Sequence, residues 1–363
     1  MHEREVIIVT GSSGMLGSAL IRRLGRTHAL VGFDRVGPPY PPVEAECISA
    51  DLTSTESISR ALRRVRFAYG GRIAAVVHLA AYYDFSGAES DLYDRLTVDG
   101  TRELLEQLKA FDVGVFVFSS TMLVHRPCEP GERITETAPL QAKWAYPASK
   151  IAAERVMRES DSPFPTVALR IAGVYDDQCH SIPLAHQIRR IDAERFTSRV
   201  YPGDTSRGQA FVHLDDAVDA MVQSTRRGPS FSGFTPLLIG EDQTLSYEEL
   251  QRTISGLLLG AEIDTIEIPE IVARIGARVQ DLIPFVEDPF IKPWMVSLAD
   301  DHYALDISRA EHALGWRPRR TLRDTLPRMI ASLQRDPERW YRCNGLEPPR
   351  GSEAMEHHER HAG

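Results

Sequence analysis

Tyr146 and Lys150 stand four residues apart in Tyr146-Pro147-Ala148-Ser149-Lys150. On a helix that spacing puts both side chains on one face. A free tyrosine has a pKa of about 10 and is a poor base at neutral pH. An ammonium beside it favours the phenolate and brings that pKa down. Such a tyrosine can take the proton of a substrate hydroxyl, or return it to an alkoxide in the reverse direction. Thr121 closes the run Ser119-Ser120-Thr121, and its hydroxyl can hold the same oxygen. Thr121, Tyr146 and Lys150 are therefore the candidate catalytic residues, for chemistry that interconverts a secondary alcohol and a ketone. By itself the Tyr-x-x-x-Lys pattern is weak, because a solvated helix face satisfies it equally.

That chemistry also needs an electron acceptor, and the N-terminal stretch offers it a place. Val6-Ile7-Ile8-Val9-Thr10 reads as a buried strand, followed by Gly11-Ser12-Ser13-Gly14-Met15-Leu16-Gly17. Gly11 allows a tight turn, Gly14 lets backbone N–H groups approach a pyrophosphate, and Gly17 lets the next helix pack closely. The N–H groups of Ser13, Met15 and Leu16 then face the phosphate charge at a helix N-terminus. A second apolar run, Ala29 to Phe33, ends at Asp34. A carboxylate there suits the ribose hydroxyls of NAD and repels the 2′-phosphate of NADP. Arg35 beside it can pair with that phosphate, which leaves NADP open. Lys150 can also bind the nicotinamide ribose, fixing the geometry of transfer.

The elements that must position these groups alternate along the chain. Leu16, Ala19, Leu20 and Leu24 recur at helical spacing. Glu46 to Ala50 is a short strand, and Asp51-Leu52 follows it. Asp51 has two readings, an acceptor for an adenine amino group or a helix cap with Thr53. Residues 55–67 form an amphipathic helix. Ile73 to Ala81 is the next strand, and its ending His78-Leu79-Ala80-Ala81 is small enough to lie against a flat cofactor. Tyr83 follows at the carboxyl end, where open α/β sheets bind ligands. A long helix spans 89–110, and Val113 to Ser119 is another strand. The alternation predicts an α/β chain with a doubly wound parallel sheet.

Composition narrows the partners. The 363 residues carry 26% charged and 42% hydrophobic side chains and a formal net charge of −9. That balance disfavours nucleic acid and anionic membranes and leaves a small-molecule substrate. No apolar run reaches the roughly 20 residues of a membrane span. Cys47, Cys128, Cys179 and Cys343 show no metal or redox spacing and read as reduced thiols, so no metal is expected. The chain enters its first strand with no signal peptide before it, so a cytoplasmic location is expected.

In the second half, Asp176 to Arg190 departs from regular βα wiring. His180, within Cys179-His180-Ser181, is either a substrate contact or a surface-loop histidine. Arg189, Arg190, Arg195 and Arg199 form a local basic cluster, either an anion site or a solvated face. Phe211 to Ala220 reads as the start of a helix capped near Asp215, with Asp215 and Asp216 structural. Ser246 to Leu250 fits a capping-box start. The aromatic, Pro-broken stretch 281–300 is expected over a substrate cleft or in packing. The tail from Glu347, with His357, His358 and His361, is expected to be disordered.

These stretches together resemble the extended short-chain dehydrogenases/reductases, the NAD-dependent epimerase/dehydratase family. The matching residues are Thr10 to Gly17, Asp34, Asp51-Leu52, His78 to Ala81, Ser119 to Thr121, Tyr146 to Lys150, Leu169-Arg170 to Tyr175, Phe211 to Ala217 and Leu314 to Pro318. The resemblance implies a Rossmann-type doubly wound sheet with a smaller C-terminal α/β substrate domain. The boundaries expected are 1–175 for the cofactor-binding core, 176–345 for the interleaved substrate part and 346–363 for the tail. It also implies a bound nicotinamide and a homodimer built on the helices near 89–110 and 146–160. Gly11, Ser13, Gly14, Met15, Leu16, Gly17, Asp34, Arg35, Asp51, Leu52, Leu79, Ala80 and Ala81 would then hold NAD, with Tyr146 and Lys150 reaching its ribose.

Several positions depart from the family pattern. Thr97-Val98-Asp99-Gly100-Thr101 carries Thr97 where the family often has Asn. Thr121 is followed by Met122-Leu123, not by the Asp-Glu pair of sugar 4,6-dehydratases, so dehydration is not expected. Tyr175-Asp176-Asp177 replaces Tyr-Gly-Pro, and Gln209 takes the place of a diphosphate-gripping Arg, with Arg207 two residues before it. Tyr83, Thr121, His180, Arg207 and Gln209 are the candidate substrate contacts. The resemblance favours a nucleotide-sugar epimerase or dehydrogenase. A simple dehydrogenase/reductase of a non-nucleotide molecule stands next to it, and a non-catalytic NAD(P)-binding sensor further off.

Overall fold

The computed structural model describes residues 4–35, 44–84, 88–193, 196–268 and 300–349. The expectations for 281–299, Arg195 and the tail histidines fall outside these residues. Seven strands form one parallel sheet: β1 (Val6–Thr10), β2 (Ala29–Asp34), β3 (Ala45–Ser49), β4 (Ala75–His78), β5 (Phe116–Thr121), β6 (Thr166–Ile171) and, after the short β7 (Gly173–Tyr175) and β8 (Phe211–His213), β9 (Phe234–Ile239). Their spatial order is β9-β6-β5-β4-β1-β2-β3, every neighbour parallel. The strand sequences are near-continuous Val, Ile, Leu and Phe because both sheet faces are covered. Val6 to Thr10 is buried at every position, as is Thr166 to Ile171.

Two apolar cores flank the sheet. One contains Ile7, Val9, Leu20, Val117 and Trp316, the other Ile8, Phe33, Leu104, Phe118 and Met157. Helix α1 (Met15–Leu24) packs with α6 (Leu214–Arg227) on one side. On the other side lie α2 (Thr55–Tyr69), α3 (Gly100–Leu108) and α4 (Ala145–Glu159). A third core unites α5 (Ile182–Asp192), α7 (Tyr247–Leu259) and the helix Leu322–Arg335 through Leu184, Ile254, Leu326 and Trp340. The strand order reverses beside β1, so the chain leaves β1 toward β3 and returns to β4. That reversal opens a crevice at the carboxyl ends of β1 and β4, where open α/β sheets take ligands.

Two elements differ from their sequence reading. The helix expected over 89–110 runs instead through a π-wound stretch, Tyr93–Asp99, into α3. Within it the Thr101 hydroxyl donates to the Thr97 carbonyl at 2.6 Å. Phe211 to His213 is not helix but strand β8, paired in parallel with β7 (Gly173–Tyr175). The cap of α6 is therefore His213, whose Nδ1 accepts from the Asp215 N–H at 3.1 Å. The pairing partner lies about 40 residues away in sequence, beyond the reach of a local periodicity. Asp51 likewise caps no helix: its carboxylate accepts from the Thr53 N–H and hydroxyl, and Ser54 caps α2.

Asp216 is structural, as expected. Its carboxylate accepts the Arg319 and Arg320 N–H groups at 3.0 and 2.9 Å, and its carbonyl accepts from the Trp316 indole at 3.0 Å. Asp216→Ala strands both N–H donors. The expected loss is about 1–3 kcal/mol, read as a lower urea midpoint at an unchanged slope.

Candidate active site

The glycine turn is built by close approach. Gly11 has φ +66°, and a Cβ there would stand 2.8 Å from the Ala80 nitrogen. A Cβ on Gly17 would stand 2.3 Å from the Gly11 carbonyl oxygen, so the helix packs on the turn itself as well as the sheet. Gly14 caps α1, and a Cβ on it would approach only the Gly11 oxygen, at 3.4 Å. It therefore keeps the first turn, with Met15 and Leu16, uncovered for a phosphate group. Asp34 at the end of β2 accepts the Ser13 N–H at 2.9 Å and the Arg35 N–H at 2.8 Å. A bare helix N-terminus and a tethered carboxylate fit the pyrophosphate and ribose of a dinucleotide, with Arg35 exposed beside them. Leu52 is buried, and its carbonyl abuts Gly100.

A directional hydrogen-bond chain ties this turn to β4. The Thr101 hydroxyl spends its hydrogen on the Thr97 carbonyl, so it accepts from His78 Nε2 at 3.0 Å. His78 Nδ1 then accepts from the Thr10 hydroxyl at 2.6 Å, and that hydroxyl accepts the Ala80 N–H at 3.2 Å. Burial, with the Lys150 charge, pushes the His78 imidazole down to about 3, so it stays neutral. His78 is thus a packed core histidine. Thr97, at the position of the family's Asn, accepts the Tyr82 N–H at 3.1 Å. The Leu79-Ala80-Ala81 segment is held from both ends, with the Leu79 N–H on the Thr10 carbonyl at 3.2 Å.

At the carboxyl end of β5 the expected trio comes together. Lys150 is buried, and its Nζ donates to the Ser119 carbonyl at 2.6 Å. The ammonium lies 4.6 Å from the Phe118 ring centroid and 5.7 Å from that of Tyr146. Burial pushes this lysine down to about 7, and Glu154 opposes the shift. The Tyr146 phenol is pushed well above its ordinary range, first by burial and then by Tyr83, while its hydrogen bond with Thr121 acts the other way. Tyr83 meets the Tyr146 ring edge-on at 4.8 Å, and Trp144 lies 5.4 Å from it. Tyr83 remains 49% exposed, so the wall of this site beside the phenol is aromatic and open to solvent.

The other expected substrate contacts engage partners of their own. His180 bonds Asp176 at 2.7 Å in a tight turn where Cys179 and His180 take φ +83° and +37°. Arg207 pairs with Glu129 at 2.7 Å and Asp204 at 3.5 Å. Gln209 joins a backbone bridge to Tyr303. In the basic cluster, Arg190 donates to the Val200 carbonyl at 3.0 Å. Sequence reading gave no role to Trp144 or to Glu154, which bonds Ser120 at 2.6 Å. The only local signal for Glu154 is its place one helical turn beyond Lys150.

A Rossmann-type sheet with a glycine turn at its reversal and a Thr/Tyr/Lys trio at the end of β5 is the architecture of NAD-dependent oxidoreductases. The chain belongs to the NAD dependent epimerase/dehydratase family, whose model matches residues 7–233. It is 25% identical to the 3 beta-hydroxysteroid dehydrogenase type 7 of Homo sapiens, over 92% of this chain and 96% of that one. It is 27% identical to the 2-alkyl-3-oxoalkanoate reductase of Stenotrophomonas maltophilia, over 90% and 98%. The UDP-glucuronic acid 4-epimerase of Bacillus cereus, solved with UDP-glucuronic acid and NAD, shares the fold at a TM-score of 0.67 and 19% identity, over 91% and 99%. Among the described residues no helix is long and apolar enough to cross a membrane.

Two outcomes follow from this geometry. Asp34→Ala removes the carboxylate that anchors Ser13 beside the glycine turn; if that carboxylate holds the ribose, NAD is expected to weaken about tenfold or more and the preference over NADP to narrow, by titration calorimetry. Lys150 has a folded value near 7 against 10.5 unfolded. Between those values the unfolded chain binds more protons, so this group's contribution to stability rises with pH. Wild-type stability minus that of Lys150→Met should therefore climb through that window in denaturant titrations, and be flat below it.

Proposed function

We propose that the protein is an NAD-dependent dehydrogenase or reductase that interconverts a secondary alcohol and a ketone on a largely apolar, non-nucleotide small molecule. The observation that carries this reading is the Tyr146 phenol, hydrogen-bonded to Thr121, near Lys150 and walled by Tyr83 and Trp144. NAD, when bound, supplies the ring that accepts the hydride and a positive charge that favours the phenolate. Gly14 and the first turn of α1 receive its phosphates, and Asp34 its ribose. Thr121 holds the substrate oxygen. Tyr146 takes the hydroxyl proton in oxidation and returns it in reduction. Lys150 supports the phenolate by its charge and holds the nicotinamide ribose.

Two features favour an apolar substrate over a nucleotide sugar. A diphosphate needs cations to hold it, and Arg207 is already paired with two carboxylates while position 209 is Gln. The names of the two sequence relatives describe a hydroxysteroid dehydrogenase and an oxoalkanoate reductase. The nucleotide-sugar reading is supported by the shared fold of the UDP-glucuronic acid 4-epimerase, and it stands second. For the homodimer, the outer faces of the 93–108 helix and α4 are the surfaces we assign.

The test is a panel of 3-hydroxysteroids, 2-alkyl-3-oxo acids and UDP-sugars, followed at the nicotinamide absorbance band and by sugar-isomer analysis. Turnover of a hydroxysteroid or oxo acid with net cofactor change is expected. Turnover of UDP-sugars alone would overturn the substrate class. Tyr146→Phe should lower kcat about 100- to 10,000-fold while changing the NAD dissociation constant far less. Wild-type turnover in that variant would end the acid/base assignment.

A further inference from the structure

The buried charges behind the phenol are arranged around Glu154, which is 1% exposed. Its carboxylate accepts the Ser120 hydroxyl at 2.6 Å and the Arg170 guanidinium twice, at 3.0 and 2.6 Å. Ser120 lies between Ser119, whose carbonyl receives the Lys150 ammonium, and Thr121, which bonds the Tyr146 phenol. Glu154 itself stands four residues beyond Lys150 on α4, on the same face. One carboxylate therefore links the strand carrying Thr121 to the helix carrying both Tyr146 and Lys150.

The far side of the network is also determined. Arg170 can only donate, so His125 Nε2 accepts from it at 2.9 Å and His125 Nδ1 donates to the Ala138 carbonyl at 3.2 Å. Arg170 also donates to the Glu136 carbonyl at 2.8 Å. Burial, with the Arg170 charge, pushes His125 down to about 4, so the histidine is neutral and Arg170 is left to balance Glu154. Among the described residues the hydrogen-bond acceptor of Lys150 is a neutral carbonyl, that of Ser119. The negative charge acting on it is Glu154. Among the described residues the other ionisable groups facing the pair are Tyr146 on α4, His78 at the end of β4, Arg170 on β6 and His125 beyond it.

We propose that Glu154 is a positioning residue of the active site, tying the Ser119–Thr121 strand end to α4 and keeping the Lys150 ammonium charged beneath the Tyr146 phenol. The inference rests on the catalytic reading of Tyr146 and Lys150. Without the carboxylate, a buried ammonium beside a neutral carbonyl gives up its proton more readily. Lys150 then gives up its proton at a still lower pH, which removes the cation that favours the phenolate over more of the working range.

The chain has only four lysines, Lys109, Lys143, Lys150 and Lys292, so the ammonium can be watched directly. Lysine labelled with ¹³C at Cε, in the full-length protein saturated with NAD, gives one NMR signal per lysine, assigned with Lys150→Met. Glu154→Gln is expected to move the Lys150 midpoint down by about one pH unit or more. Glu154→Asp, which keeps the charge, should restore most of that shift. If Glu154→Gln fails to fold because Arg170 is left unpaired, Glu154→Gln/Arg170→Met removes both buried charges and must still show a downward movement, smaller because a cation leaves with the anion. A Lys150 midpoint that stays in place in the folded variant overturns the proposal. Should that happen while Tyr146→Phe is inactive, the catalytic reading survives and this inference alone fails. A moved midpoint together with a fully active Tyr146→Phe overturns the catalytic reading instead.

Discussion

The structure depends on placing an ammonium inside the protein beside a phenol. Burial acts on the two groups in opposite directions on the pH scale, and in both cases against charge. It lowers the Lys150 pKa and raises that of Tyr146. An isolated buried ion would be costly, so the surroundings must compensate. The Ser119 carbonyl and the face of Phe118 do so from β5, and the Glu154 carboxylate from α4. Glu154 is held in turn by Arg170, which converts one buried charge into a connected set. Truncating one member of such a set exposes the charge of another, whereas removing a pair together does not.

The cofactor side is governed by steric closeness. Gly11 and Gly17 lack side chains because backbone atoms occupy the places a Cβ would take. That closeness brings the start of α1 to the carboxyl ends of β1 and β4. The Thr10–His78–Thr101 chain then locks the turn to β4 and to the π-wound helix start. A neutral His78 is essential there, because its Nδ1 must accept while its Nε2 donates. Tyr83 and Trp144 flank the Tyr146 phenol with aromatic rings.

Much of this was legible as spacing. The three glycines, Asp34, the Tyr146–Lys150 interval and the capping box of Ser246 and Glu249 all stand where local rules place them. Less legible were elements defined by distant partners. Phe211 to His213 is a strand only because Gly173 to Tyr175 lies beside it. Arg207 reads as an available cation until Glu129, 78 residues away in sequence, is seen to pair with it. The role of Arg170 was invisible because its partners, Glu154 and His125, converge from a helix and a loop.

The sequence by itself determined the alternation of strands and helices, the dinucleotide turn and the identity of the three candidate catalytic side chains. These follow from helical and strand periodicity and from glycine's lack of a Cβ, which are properties of neighbouring residues. Tertiary structure alone decided how strongly each group is desolvated, which charges answer one another, and that Glu154 stands behind Lys150 while Tyr83 and Trp144 flank Tyr146. Burial and Coulomb interactions depend on distance in space, and residues far apart in the chain supply most of the atoms within that distance.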